Sequence, residues 1–434
     1  MHVPKRLIAG IAAGAAALLA LSGCGVGNRA ASTELSDGPV TLRMAWWGGD
    51  SRHERTQQVI DLFEAKYPNI TIVPEFSDWS GYWEKLATAT AGKNAADVIQ
   101  MDELYLSSYA ARGALSDLDA LRIDTAGLDD SVLRMGRYDE RLYAIPISTS
   151  STALLVNTDL LDSIGVPLPD HTQSWTWDEF DTWAQTVTDA APAGVYGTSV
   201  LSGSWQLQLF ARQVGERLYD GDEVAVSAET VADFFRTSLD LTRSGASAPA
   251  SVWSETSSLP LDQLPFSVGT AASFFAPATL ISAYAKASGA NIELVPMPNH
   301  DNGEPTFDYF KPGMYWSISS QSRHPAEAAA LVDFLLNDPE ATKIIGSERG
   351  LPASTRNLDL IKPGLTSEEA EAVAYSESRV PVLGAAPAPP PLGTSDVDAI
   401  FLRYLQEVMF ERTTPETAAT GFIADVQASI DAAN

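Results

Sequence analysis

From residue 40 onward, short apolar runs alternate with stretches in which apolar residues recur at helical spacing. The first run, residues 40–47, reads VTLRMAWW and ends in two tryptophans followed by Gly48-Gly49-Asp50. Residues 70–76 and 97–101 form the next two runs. Between them, Val59, Ile60, Phe63 and Tyr67 mark a helix over 53–67 that Pro68 stops. A second helix begins over 82–90, and a third over 103–112 ends at Gly113, a residue suited to a C-cap. This alternation predicts a βαβαβ unit and a parallel sheet. Ligands of such sheets gather beyond the carboxyl ends of the strands. Farther on, Thr176 and Glu179 form a capping-box pattern opening an amphipathic helix. Residues 196–199 read as a strand, and 266–275 contain another. Residues 324–336, 395–410 and 415–432 read as helices, and 381–393 as a stiff proline-rich loop.

Period-two alternation places residues 40, 42, 44 and 46 on one face of the first strand, and Arg43, Ala45 and Trp47 on the other. Trp46 therefore reads as core. Trp47, at a strand end, and Trp79, in a loop, read as rings free to stack on a ligand. Asp102 ends the third strand and is either a ligand acceptor or the N-cap of the next helix. Asp97 begins that strand and reads as structural. Tyr315 and Trp316 alternate across a strand, so one at most faces a cleft.

The first residues describe an address. Lys5 and Arg6 precede an apolar run over 7–21, too short for a bilayer span of about 20 residues. Leu21-Ser22-Gly23-Cys24 then resembles a bacterial lipobox. The expectation is a signal peptide over 1–23, a lipidated Cys24 and a flexible tether through residue 39. Cys24 is the only cysteine, so the chain forms no internal disulfide and keeps no thiol for catalysis. The remaining length, roughly 410 residues, suits two lobes. A formal net charge of −28 excludes nucleic acid as the natural partner. The five histidines, at 2, 53, 171, 300 and 324, show no metal-ligand spacing. Neither a G-x-S-x-G elbow nor a P-loop is present, and no cofactor is expected.

Many pieces in a fixed order carry a family resemblance. They are WWGGD at 46–50, FEAKYPNITI at 63–72, ADVIQMD at 96–102 and YAARGALSDL at 109–118. LYAIP at 142–146, LVNTDLL at 155–161 and WTWDEF at 175–180 follow, then NDPEA at 337–341 and GLP at 350–352. Together they resemble the sugar-binding lipoproteins of ABC importers, a group that includes maltose- and other oligosaccharide-binding proteins. The resemblance implies an α/β fold of two lobes of the periplasmic-binding-protein type (type II), joined by crossover segments, with the ligand closed between them. It places lobe one at 40–147 plus 313–337 and lobe two at 148–312 plus 338–434, with a hinge near 145–151. It also implies a monomer without cofactor or metal, lipid-anchored outside the cell membrane, that delivers a carbohydrate to a permease.

Sugar binding fits the residue types on the rim. A flat ring covers the C–H face of a pyranose, and carboxylates accept its hydroxyl protons. The candidate ligand residues are Trp47, Asp50, Trp79, Tyr82, Asp102, Ser148, Trp205, Phe274, Tyr315 and Trp316. Ser51 and Met101 depart from maltodextrin binders, which carry a lysine and a tryptophan there, and this puts maltose itself in doubt. A glycosidase using Asp50 and Asp102 is the enzymatic alternative. A peptide or polyamine in the same fold is the other.

Overall fold

A computed structural model describes residues 34–169, 175–257, 259–301 and 303–434. Cys24, the expected signal segment and His171 lie outside them.

The predicted βαβαβ unit is present. Strand β1 (Val40–Trp47) leads into helix α1 (Asp50–Lys66), then β2 (Ile70–Ser77), α2 (Trp79–Ala91), β3 (Val98–Met101) and α3 (Glu103–Ala111). β1 pairs in parallel with β2, from Val40 opposite Ile70 to Trp47 opposite Ser77, and with β3 at Met44 opposite Val98. Three later strands complete a six-stranded sheet in the order β9-β4-β8-β3-β1-β2. They are β4 (Ile145–Ser150), β8 (Lys311–Ile318) and β9 (Leu351–Pro352). β8 runs antiparallel to β3 and β4. A second sheet has β5 (Thr152–Asn157) between β6 (Ser273–Pro277) and β7 (Ile292–Val295), antiparallel to both. The two sheets are the floors of the two lobes, which take their names from the sheets and not from residue number: the larger lobe carries the six-stranded sheet and the smaller lobe the three-stranded one.

Alternation along β1 works as the sequence predicts. Trp46 lies in a core with Val40, Leu42, Met44, Phe63 and Trp316, while Trp47 packs on the opposite face with Tyr82, Trp83 and Tyr315. Trp175 and Trp177 are buried, and their indole N–H groups donate to Pro296 O at 2.8 Å and Gln213 Oε1 at 2.9 Å. Trp177 opens α4 (Trp177–Ala190) behind the predicted Thr176–Glu179 capping box. Residues 196–199 do not form a strand. Tyr196 and Thr198 make only isolated bridges, to Ala271 and Ser247.

The chain passes from the larger sheet to the smaller at Ser151, returns at Lys311, and leaves again after Pro352. The later helices are α5 (Ser204–Gln213), α6 (Ala228–Arg243), α7 (Ile281–Ser288), α8 (Pro325–Asn337), α9 (Pro339–Ile345), α10 (Ser367–Arg379), α11 (Val397–Met409) and α12 (Pro415–Ala433). α9 packs on α1 and α8, and on the short helix over Thr355–Ile361 as well. Lys66 Nζ meets Asp338 Oδ2 at 3.2 Å, and Arg55 donates to the carbonyls of Ile344 and Ile345 at its C-terminus. Helices α6, α11 and α12 pack together in the smaller lobe. The proline-rich loop touches both lobes, since Ser107 Oγ of α3 donates to Pro390 O at 2.5 Å and Arg212 of α5 donates to Ala385 O at 2.9 Å.

Ahead of β1, Ser36 donates from its backbone N and its Oγ to Glu327 Oε1 of α8, at 2.8 and 2.7 Å. Asn69 returns a bond to Ser36 O at 3.0 Å. Among the described residues, no helix is long and apolar enough to cross a membrane.

Candidate functional site

A cavity of about 590 Å³ lies between the lobes, at the three chain crossings. The larger lobe contributes Arg52 of α1, Ser148 and Ser150 of β4, Lys311 at the start of β8, and Arg349 just ahead of β9. The smaller lobe contributes Trp205 in the first turn of α5, Thr279 and Ser282 around the start of α7, and Glu369 of α10. A roomier concavity of about 800 Å³ opens on the outside of β1 and β2, lined by Arg43, Glu75, Phe76 and Lys85. Only the larger lobe builds that one, so lobe movement would not close it.

Local sequence explains how Arg52 reaches the cavity. Gly48 leaves room for it, because a Cβ there would stand 2.5 Å from Arg52 Cδ. Folded over Gly48, Arg52 donates to Trp47 O at 3.0 Å and Glu348 O at 3.1 Å, and its Nε lies 3.5 Å from Glu348 Oε1. Ser51 Oγ donates to Glu348 Oε2 at 3.1 Å. Ser347 Oγ donates to Glu369 across the lobes. Residues 347 and 348 thus hold α10 on one side and α1 on the other.

Arg349 is 3 % exposed. Its Nη2 donates to Thr56 Oγ1 at 2.9 Å, and its guanidinium carbon lies 5.2 Å from the Trp316 ring centre. Its Nε and Nη1 meet no partner among the described residues, and the same holds for the hydroxyls of Ser148, Ser151 and Ser282. Burial, with Arg52 adding to it, pushes the Arg349 pKa down to about 9, against the opposing pull of Glu348. Gly350, at φ +92°, brings the next backbone turn against Ser148, where an added Cβ would stand 3.0 Å from both Ser148 Cβ and Oγ.

Lys311 pairs with Glu103 at the head of α3. Burial opposes its charge, but Glu103, Tyr309 and Asp102 outweigh that and hold its pKa above the ordinary value. On the other side of the second crossing, Asp308 is buried and accepts from Tyr309 N at 2.8 Å. Burial pushes its carboxyl up to about 6, although the Tyr309 amide, Arg379 and Arg212 pull the other way.

The ten expected ligand residues separate into groups. Ser148 and Trp205 line the inter-lobe cavity. Asp102 is not among its lining residues. Burial raises its carboxyl above the usual range, Lys311 opposes that, and its side chain caps α3 by accepting from Leu104 N at 3.0 Å. Trp47 and Trp79 belong to an aromatic wall that continues through Trp83 to Tyr105. Trp47 and Trp79 meet edge-on at 5.0 Å, and Trp83 stacks on Tyr105 at 3.8 Å. Trp79 is the open ring of this wall, 42 % exposed. Asp50 is exposed at the first position of α1.

Four expected ligand residues sit elsewhere. Tyr82 is buried, and its hydroxyl donates to Gln100 O at 2.5 Å, so packing uses both its ring and its polar end. Trp316 is buried in the core under α1 and α8, and Tyr315 on the opposite face of β8. Their alternation is as predicted, but neither lines the cavity. Phe274 lines a separate pocket of about 240 Å³ within the smaller lobe, with Trp253, Phe266 and Tyr284; Trp205 is common to this pocket and the cavity. Sequence reasoning did not single out Arg52, Arg349, Ser151 and Ser282, which line the cavity. The available signal was the placement of Arg349 beside Gly350-Leu351-Pro352, a segment already noted for its resemblance.

Known proteins agree with this architecture. An uncharacterized lipoprotein in the oleD 5′ region of Streptomyces antibioticus is 27 % identical over 365 residues, 79 % of this chain and 75 % of that one. The galactooligosaccharide-binding protein of Bacillus subtilis is 20 % identical over 380 residues, 84 % of each chain. The solved structure of an extracellular solute-binding protein family 1 member from Alicyclobacillus acidocaldarius superposes with a TM-score of 0.72 at 26 % identity, covering 91 % of this chain and 99 % of that one. The model of the bacterial extracellular solute-binding protein family matches residues 49–342, well over half of the sequence. With its two lobes and a cavity at their crossings, this chain belongs to the bacterial extracellular solute-binding protein family.

Proposed function

We propose that the chain captures a carbohydrate between its lobes and delivers it to the membrane subunits of an ABC importer. One observation carries this reading. The cavity is lined by an aromatic ring, Trp205, and by three serines, Ser148, Ser151 and Ser282, whose buried hydroxyls have no partner among the described residues. Buried polar groups are stable only when hydrogen-bonded, and a polyol supplies many such bonds at once. The galactooligosaccharide binder of Bacillus subtilis supports the same class of ligand.

The lobes move about the crossings at residue 151, residues 310–311 and residues 352–353. Closure is favoured by a ligand that makes contacts from both lobes only when they meet. Asp50, Trp79 and Asp102 act at the outer end of the same cleft, along the aromatic wall. The chain is a monomer held at the outer membrane face by lipid on Cys24, a reading supported by the lipoprotein relative of Streptomyces antibioticus. It is not an enzyme. The two carboxylates lining the cavity are already engaged, Glu348 by Arg52 and Ser51, and Glu369 by Ser347 and the Thr366 amide. A glycosidase needs two carboxyl groups free to flank one bond.

A thermal-shift screen of the full chain tests this, with mono- and oligosaccharides, amino acids, peptides and polyamines as ligands. A sugar present at a hundred times its Kd adds about 2.7 kcal/mol of stability. Stabilisation by peptides or polyamines but by no sugar overturns the ligand class, and consumption of a sugar overturns the non-catalytic reading.

A further inference from the structure

The pocket of about 240 Å³ in the smaller lobe adjoins the inter-lobe cavity, with Trp205 a wall of both. The rings of Trp253, Phe266, Phe274 and Tyr284 complete its aromatic lining. Between ring centres, Phe274 of β6 stands 4.4 Å from Tyr284 of α7 and 4.8 Å from Phe266. Among the described residues, no acid, lysine, arginine or histidine lines this pocket, whereas the cavity carries Arg52, Lys311, Glu348 and Glu369. Sites that hold a whole small solute run from about 300 to 1,000 Å³. The cavity falls in that range and the pocket below it, so the pocket suits one end of a solute that the cavity holds.

Two donors belong to this otherwise apolar wall. The indole N–H edge of Trp205 lies over Gly203, where an added Cβ would stand 2.5 Å from Nε1, and Gly203 lines the pocket but not the cavity. That N–H has no acceptor among the described residues. The Tyr284 hydroxyl has no partner among them either, and burial is the sole cause that raises its pKa. A charged end group would be desolvated here without a counter-charge. An aryl group would cover the rings and leave both donors without acceptors. An acetamido group answers both needs, since its methyl packs on the rings while its carbonyl accepts from the N–H or the O–H.

We infer that the solute is an N-acylated amino sugar, and that the pocket formed by Trp205, Trp253, Phe266, Phe274 and Tyr284 receives its acetamido group. This rests on the carbohydrate reading above and specifies it further. Gly203 is part of the device, because any larger residue there would displace the N–H edge of Trp205.

The test is calorimetric titration of the full chain with two matched pairs of disaccharides: diacetylchitobiose against cellobiose, and N-acetyllactosamine against lactose. Within each pair the members differ only in acetamido groups that replace hydroxyls. In at least one pair the acetamido member is expected to bind at least about tenfold more tightly, the gain of one hydrogen bond and one buried methyl. Phe274→Ala and Tyr284→Phe are each expected to cut that preference; thermal melts without ligand show whether each variant folds. Equal or tighter binding of the parent sugar in every pair that binds overturns the inference and leaves the carbohydrate reading standing. A preference that survives undiminished in the folded variants overturns the role of the pocket. If none of the four binds while the thermal-shift screen finds another sugar, the inference falls alone; if no sugar binds at all, both readings fall.

Discussion

The aromatic wall and the chain crossings lie side by side in this molecule and are built on opposite rules. The wall, from Trp47 through Trp79 and Trp83 to Tyr105, consists of large rings packed on one another. The crossings are made of serines, glycines and arginines, and several of the buried polar groups without a partner among the described residues lie there, on Ser148, Ser151 and Arg349. Large apolar surface is readily satisfied from within the protein, whereas a buried donor needs a specific acceptor. The wall leaves one such donor, the Trp83 indole N–H, whereas the crossings leave several close together, among the described residues.

Substitutions that exchange these roles test the contrast, and the core tryptophan gives the largest expected effect. Trp316 lies fully inside the larger lobe under Arg349. Trp316→Ala should lower the unfolding free energy by about 3–5 kcal/mol in urea titration, because it leaves a cavity in a packed core. A loss below about 1 kcal/mol would show the site to be far looser than its burial implies.

Next comes the buried carboxylate at the second crossing. The folded pKa of Asp308, about 6, is raised above its unfolded value. The folded state therefore holds this proton more tightly, and the group costs stability as pH rises through the range from about 4 to 6. Relative to Asp308→Asn, the wild type should lose about 2–3 kcal/mol across that range. Parallel pH curves for the two chains would contradict the buried charge.

A smaller effect is expected at the third crossing. Gly350→Ala forces a side chain into a left-handed backbone conformation and against Ser148. It should cost about 1–2 kcal/mol from the backbone alone, read by the same titration. The smallest effect belongs to the exposed ring of the wall. Trp79→Ala should change stability by less than about 0.5 kcal/mol, while weakening binding of whichever sugar the thermal screen identifies. An unchanged Kd would remove Trp79 from the binding surface.

The same contrast explains what could be read from the sequence. The βαβαβ unit was legible because strand and helix periods change sharply between residues 40 and 112, and the boundary glycines and prolines mark the ends. The opposite facings of Trp46 and Trp47, and of Tyr315 and Trp316, followed from period two alone. The cavity was much less legible. Of the residues expected at the ligand, Ser148 and Trp205 line it, but tryptophans and tyrosines dominated the expectation, and several of them are buried in packing. Tyr82 shows why composition misleads here: a tyrosine with a buried ring and a satisfied hydroxyl looks, in sequence, the same as one waiting for a ligand. Arg52 and Arg349 were missed because nothing in their local pattern reveals burial. Their environment depends on α9, which joins α1 through contacts nearly 300 residues apart in the chain.

The Ser36–Glu327 clamp has a mechanical meaning. Any pull on the chain ahead of Leu35 enters the protein through α8 and the start of β2, both in the larger lobe. Were the chain held at its start, the half with the six-stranded sheet would be moored like a pier, and the other half would hang from it like a gate on three crossings.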